Sequence, residues 1–207
     1  MSGLLGKKLG MTQIFTEAGE VVPVTVIEAG PCVVLEVLDG QGVIKIGYGK
    51  VKASRLKKPQ EGYFQKIGQT PQRYIREIAF DEPSSFQPGQ QLKADLFSPG
   101  DYVDVTGRSK GRGFAGTIRR WGHARFPESH GHPHQRATGS LGSSATPGRV
   151  VKGKKLPGQY GDKQRTVQSL KVIEVRAEEN LLLLKGAVPG CRSGLILIKK
   201  AIKKNSK

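Results

Sequence analysis

The chain has 207 residues, 36 % of them hydrophobic, and its 34 Lys plus Arg against 17 Asp plus Glu leave a formal charge of +17 at neutral pH. That composition suits one large domain, or one modest domain with an attachment, and uniform disorder is not expected. A charge so far from zero costs self-repulsion and points to a polyanionic partner, nucleic acid ahead of an anionic membrane surface.

Taken in chain order, 11–15 and 21–27 are β-rich runs joined by the turn Glu17-Ala18-Gly19-Glu20. A third strand is expected over 32–38, closed by Asp39-Gly40, and a fourth over 43–48. The stretch 55–79, with Lys57-Lys58-Pro59 and Tyr63-Phe64, suits a short insertion holding one helix or edge strand. Turns at Gln87-Pro88-Gly89-Gln90 and Ser98-Pro99-Gly100-Asp101 precede a strand at 102–105. After residue 165 the same grammar returns, with strands expected over 167–175, 181–185 and 195–199. Four consecutive leucines at 181–184 suggest a strand buried on both faces, although periodicity alone allows a helix. Closely spaced strands with Gly and Pro turns favour a mainly β fold, a small closed β-barrel with a lesser α+β insertion, over a βαβ arrangement.

The segment 107–165 breaks this grammar. It holds 13 Lys or Arg against only Glu128 and Asp162, all four histidines and the only tryptophan. Scattered apolar residues and many glycines cannot build a core, so its shape should depend on a partner. Because a strand leads into it and another leads out, its ends should lie close together. The expected organisation is a globular core of 1–106 and 166–207, with an insertion at about 50–95, and an extended loop over 107–165.

Within that segment, Gly107-Arg108-Ser109-Lys110-Gly111-Arg112-Gly113-Phe114-Ala115-Gly116 combines permissive backbone with guanidinium and ammonium groups suited to phosphate. It lacks the Gly-Lys-Ser/Thr ending of a mononucleotide loop and the spacing of a dinucleotide fingerprint. Arg119-Arg120-Trp121-Gly122-His123-Ala124-Arg125-Phe126 interleaves arginines with rings. The arginines suit phosphate and base faces, and Trp121 either takes a base or anchors the segment. His130, His132 and His134 alternate as metal ligands do, yet only Glu128 stands near them and Gly131 and Pro133 interrupt the strand. Histidines working within an RNA groove fit better than zinc or a general acid and base. Arg136 lies beyond them, and Arg149, Lys152, Lys154 and Lys155 form a second basic arm, followed by Lys163 and Arg165. No metal, cofactor, catalytic residue or small-molecule substrate is expected. An RNA-modifying or RNA-cleaving enzyme built on the histidines, or an adaptor for an acidic protein, are the alternatives.

No stretch approaches the roughly 20 apolar residues of a membrane span, and no export pattern opens the chain, so neither membrane nor secretion is expected. Cys32 and Cys191 are too few and too far apart for a disulfide framework and fit two small buried or half-buried thiols in a reducing compartment.

Several long motifs together carry a resemblance. They are 3–15, 23–27, 104–116, Arg119-Arg120-Trp121, Ser129-His130-Gly131, Gly139-Ser140-Leu141-Gly142, Thr146-Pro147-Gly148-Arg149-Val150 with Lys152-Gly153-Lys154-Lys155, and 185–190. In this order, almost from end to end, they resemble the bacterial-type large-subunit ribosomal protein of family three. The resemblance implies a β-barrel on the outer side of the large subunit and a loop reaching inward toward the peptidyl-transferase centre. It also implies direct binding to large-subunit ribosomal RNA, early entry into subunit assembly, neighbouring ribosomal proteins as partners and a ribosome-bound, cytoplasmic location. Carried onto this chain, 107–116 is the outgoing arm, Arg119-Arg120-Trp121 the stem-to-tip region and 129–148 the rest of the deep loop. Some members have a methylated glutamine before Thr-Pro-Gly, and Ala145 stands there instead. That modification is ruled out at this position.

Overall fold

A computed structural model of the chain describes residues 3–38, 40 and 42–204. The chain divides into two compact units, one of Met1–Ser109 with Gln164–Lys207 and the other of Lys110–Lys163. In chain order the elements are β1 (Gly3–Phe15), β2 (Val21–Ala29), β3 (Cys32–Leu38), β4 (Val43–Lys50), α1 (Lys58–Ile67), β5 (Gln72–Ala79), β6 (Gln91–Leu92), β7 (Tyr102–Arg108), β8 (Phe114–Ala115), α2 (Thr117–Trp121), β9 (Gly158–Gln159), β10 (Gln164–Arg176), β11 (Leu181–Lys185) and β12 (Leu195–Lys200). The protein is mainly β, as its short β-rich runs predict.

In the first unit, β1, β12, β7, β10, β11 and β2 pair antiparallel in that order, and β2 returns to β1 to close a six-stranded ring. β1 begins well before the run at 11–15 where strand propensity becomes visible. Gly3 and Gly6 dilute that propensity, yet neighbouring backbone needs them: a Cβ on Gly6 would stand 2.6 Å from the Glu28 carbonyl, and one on Gly3 2.9 Å from that of Ile198. Strand alternation sends Leu4, Ile27, Val105, Val172, Leu182, Leu184, Ile196 and Ile198 into one apolar core. Leu183 points the other way, into a small cluster with Val22 and Val24. That is how the leucine run comes to be buried on both faces.

A second sheet, in the order β5-β4-β3-β6, follows the ring strands β1 and β2. The chain turns into it at Gly30, whose φ of 85° and nearness to the Leu92 carbonyl admit no side chain. Val34, Ile44, Ile46, Ile78 and Phe80 of this part join the same apolar cluster as the ring, so the two sheets share one core. The Asp39-Gly40 turn expected after β3 lies partly outside the described residues. The stretch 55–79 supplies both a helix and an edge strand. α1 starts with Pro59 in its first turn, stops at the left-handed Gly68 and buries Phe64.

β7 and β10 settle how the chain leaves this unit and returns. They pair antiparallel, with Arg108 opposite Gln164 and Gly107 opposite Arg165. A bulge between Val167 and Leu170 interrupts the ladder, with Ser169 at a φ of 56°. The buried Asp104 accepts the Ser169 N–H at 2.8 Å through Oδ1 and so satisfies the donor that the bulge displaces.

Candidate nucleic-acid interface

The unit Lys110–Lys163 starts and ends as a short two-stranded ladder. β8 pairs with β9, the Arg112 N–H donates to the Tyr160 carbonyl and the Tyr160 N–H to that of Gly113, each at 2.9 Å, and the Asp162 N–H donates to the Lys110 carbonyl. Gly161 is obligatory here, because with a φ of 71° its Cβ would run into the Lys110 carbonyl. The Arg112 guanidinium lies over the Tyr160 ring at 5.0 Å, holding one expected phosphate ligand against the ladder. The amide of Arg112 is occupied by Tyr160. Gly113 and Gly116, by contrast, have open space where a side chain would be, so their backbone can be approached closely.

α2 follows, one turn of helix between Gly116 and the left-handed Gly122. It presents Arg119 to solvent and half-buries Arg120. Arg120 Nη1 donates to the Leu156 carbonyl at 2.7 Å, Trp121 Nε1 donates to the same oxygen at 2.9 Å, and the guanidinium covers the indole at 4.9 Å. Trp121 therefore has an anchoring role, while its ring stays 43 % exposed and open to a further stacking partner.

Beyond α2 the arrangement is held by local contacts. Arg125 pairs with Glu128 at 2.7 Å, and Phe126 stacks on His132 with centroids 5.1 Å apart. Nδ1 of His132 lies 2.6 Å from the His134 carbonyl. The alternating histidines thus do not converge: His132 faces Phe126 and its own backbone, while His130 sits at a turn with a φ of 59°. Among the described residues no three His, Cys, Asp or Glu side chains gather as a metal site.

The segment is laid open. Residues 139–155 are exposed throughout, and between 116 and 163 only Thr117 is buried. Of the positions with phosphate-binding chemistry, Lys110, Arg112, Arg119, Arg136, Arg149, Lys152, Lys154, Lys155 and Lys163 are exposed, and His123 is half-buried. Arg119, Arg136, Arg149, Lys152, Lys154 and Lys155 form no ion pair among the described residues. Arg108 and Arg165 belong to the other unit, on the paired ends of β7 and β10, and both are exposed. Tyr160 and the Leu156 carbonyl escape a reading of the sequence, since neither carries charge. Tyr160 signals itself only as an aromatic within a basic run, and Leu156 as an apolar residue after two lysines.

The chain matches the family model of ribosomal protein L3 over residues 68–181. It is 46 % identical over its whole length to a protein named large ribosomal subunit protein uL3 from Brachyspira hyodysenteriae, covering 97 % of that protein. It is 52 % identical over 97 % of its length to the uL3 protein of Pelotomaculum thermopropionicum, covering 97 % of it. Similarity to the uL3 protein of Alkaliphilus metalliredigens reaches 50 % identity, over 98 % of this chain and 99 % of that one.

Proposed function

Because the chain belongs to the ribosomal protein L3 family, we propose that it binds large-subunit ribosomal RNA directly through 107–165, enters subunit assembly early and sends that segment toward the peptidyl-transferase centre. It is a structural component of the large subunit and not an enzyme, with neighbouring ribosomal proteins as further partners and the cytoplasmic ribosome as its place of work. The observation that supports RNA binding is the pairing of 13 cations with two carboxylates in a segment that has almost no buried side chain. Such a chain lowers its self-repulsion when phosphates surround it, and its ordering entropy is then offset by counterion release. Arginines over Tyr160 and Trp121 keep donors free for phosphate while their planes are already held.

Ultraviolet crosslinking in cells, followed by sequencing of the attached RNA and gradient analysis of salt-washed particles, tests this reading. Crosslinks through 107–165 to large-subunit ribosomal RNA, retained on that particle, are the expected result. Crosslinks spread over many transcripts, or none at all, overturn it.

A further inference from the structure

The charge of the chain has a second concentration, within the first unit. Residues 50–76 hold eight Lys or Arg against Glu61 alone, so this stretch and 107–165 together account for all of the net positive charge. Lys50, Lys52, Arg55, Lys57, Lys58, Lys66, Arg73 and Arg76 are all exposed, and none is in an ion pair among the described residues. Glu36, which Lys66 faces, and Glu77, which follows Arg76, mix signs on the α1 side, and among the described residues the cations left without a carboxylate of that kind include Lys50 and Arg73.

This basic strip ends at a cleft of 670 Å³ between the ring and the second sheet, within the span of about 300–1,000 Å³ common for small-ligand sites. Lys50 and Arg73 stand on its lining, and the ring contributes Lys7. Tyr48 and Tyr74 lie directly opposite each other on β4 and β5, so both rings share the face that lines the cleft. Tyr74 is half-buried with the Arg73 guanidinium 5.1 Å from its centroid, an aromatic surface with a cation already layered on it. Gln72 is buried, and its amide is fixed by donating to the Thr70 carbonyl and hydroxyl at 3.3 and 3.2 Å.

We propose that this cleft holds one unpaired nucleotide of RNA, a second contact on the first unit that rests on the RNA-binding reading above. The base stacks on the layer formed by Tyr74 and the Arg73 guanidinium, and Lys7 and Lys50, with the donors of Arg73, hold its phosphate. Among the described residues, Glu28 is the only carboxylate on the lining. It repels a phosphate and accepts from amino or imino groups of a base, which sets the base inward and the phosphate at the cationic side. An acidic peptide would use the cations but not the aromatic surface, so RNA fits the whole set better than protein does.

The test uses the full chain with purified large-subunit ribosomal RNA, ultraviolet crosslinking and peptide mass spectrometry. A nucleotide attached to the peptide containing Tyr74, besides those on 107–165, is the expected result. The double variant Lys50→Ala with Arg73→Ala should lower the slope of log affinity against log salt by about 1.4, close to 25-fold in affinity at 0.1 M salt, if each contact releases about 0.7 counterion from a single strand. Tyr74→Leu, which keeps an apolar side chain over the core, should weaken binding roughly 5- to 150-fold without removing charge, the range of base stacking. Crosslinks confined to 107–165 with an unchanged salt slope overturn this inference and leave the reading of the long segment standing. A Tyr74 peptide joined to another protein in intact subunits overturns it as well. Absence of RNA crosslinks anywhere removes both.

Discussion

Arg120 is tied to Leu156 by a 2.7 Å hydrogen bond from Nη1 to the main-chain carbonyl, across 36 positions of sequence. The bond closes the base of an open segment that has no apolar core to do so. A charge-assisted bond to a carbonyl contributes about 1.5–3 kcal/mol. Arg120→Lys keeps the charge but cannot both reach that oxygen and lie flat on Trp121. The expected outcome is at least about tenfold faster amide exchange around Tyr160, read by hydrogen-exchange mass spectrometry, with the ring amides unchanged. Equal exchange in both proteins would show that Trp121 alone holds Leu156.

Much of the ring is legible in the sequence, and the reasons for the rest are specific. β2, β10, β11 and β12 announce themselves because branched residues and leucines alternate or run together. The first half of β1 stays hidden because Gly3 and Gly6, placed there for close backbone contact, read as turn residues. β8, β9 and α2 span two to five residues each and are held by main-chain bonds, which leave no periodic signal. The basic character of 107–165 is plain from composition, whereas the cleft by Tyr74 depends on pairing between β4 and β5 and on the approach of the ring, neither of which a linear pattern encodes.

Replacing Lys110–Lys163 by a short Gly-Ser turn should leave the first unit folded. Arg108 and Gln164 already face each other at the end of β7 and β10, so a turn of a few residues closes the gap. The thermal midpoint is expected to shift by only a few degrees, as about 1 kcal/mol would cause in a unit of this size, while incorporation into large subunits falls. A collapse of the midpoint would mean that the ring needs the segment for its own stability.

Asp104→Ala removes the acceptor for the Ser169 N–H inside the β10 bulge. Ser169 is half-buried, so its donor left without a partner should cost about 1 kcal/mol, the low end of the range for a buried group. Urea unfolding should show a lower midpoint with an unchanged slope. A loss below about 0.5 kcal/mol would indicate that the bulge relaxes onto another acceptor.

Cys32 sets an alkaline limit. Burial pushes its thiol up to about 12, against an ordinary 9.0, and the protonated sulfur donates to the Leu5 carbonyl at 3.3 Å. Between those values the folded protein keeps a proton that the unfolded chain releases, so stability is full below about pH 9 and declines as pH rises toward 12. Tyr48, whose hydroxyl is also raised by burial and by Glu28 nearby, adds to the same trend. The unfolding midpoint should therefore fall between about pH 9 and 11, and Cys32→Ala should flatten that slope whatever it does to the midpoint at neutral pH. Cys191, against the expectation of a buried or half-buried thiol, is exposed at a turn, so in an alkylation assay at about pH 8 it should react and Cys32 should not until the protein unfolds.

The two sheets differ in what they offer to another molecule of the same kind. A closed ring has every strand paired, but the four-stranded sheet ends on β5, whose outer backbone is available to recruit a stray strand and seed aggregation. Along β5 the exposed positions include Arg73, Arg76 and Glu77, charges that make such recruitment unfavourable. The charges that disfavour pairing between copies thus sit on the open edge itself, and one of them, Arg73, is also part of the Tyr74 cleft.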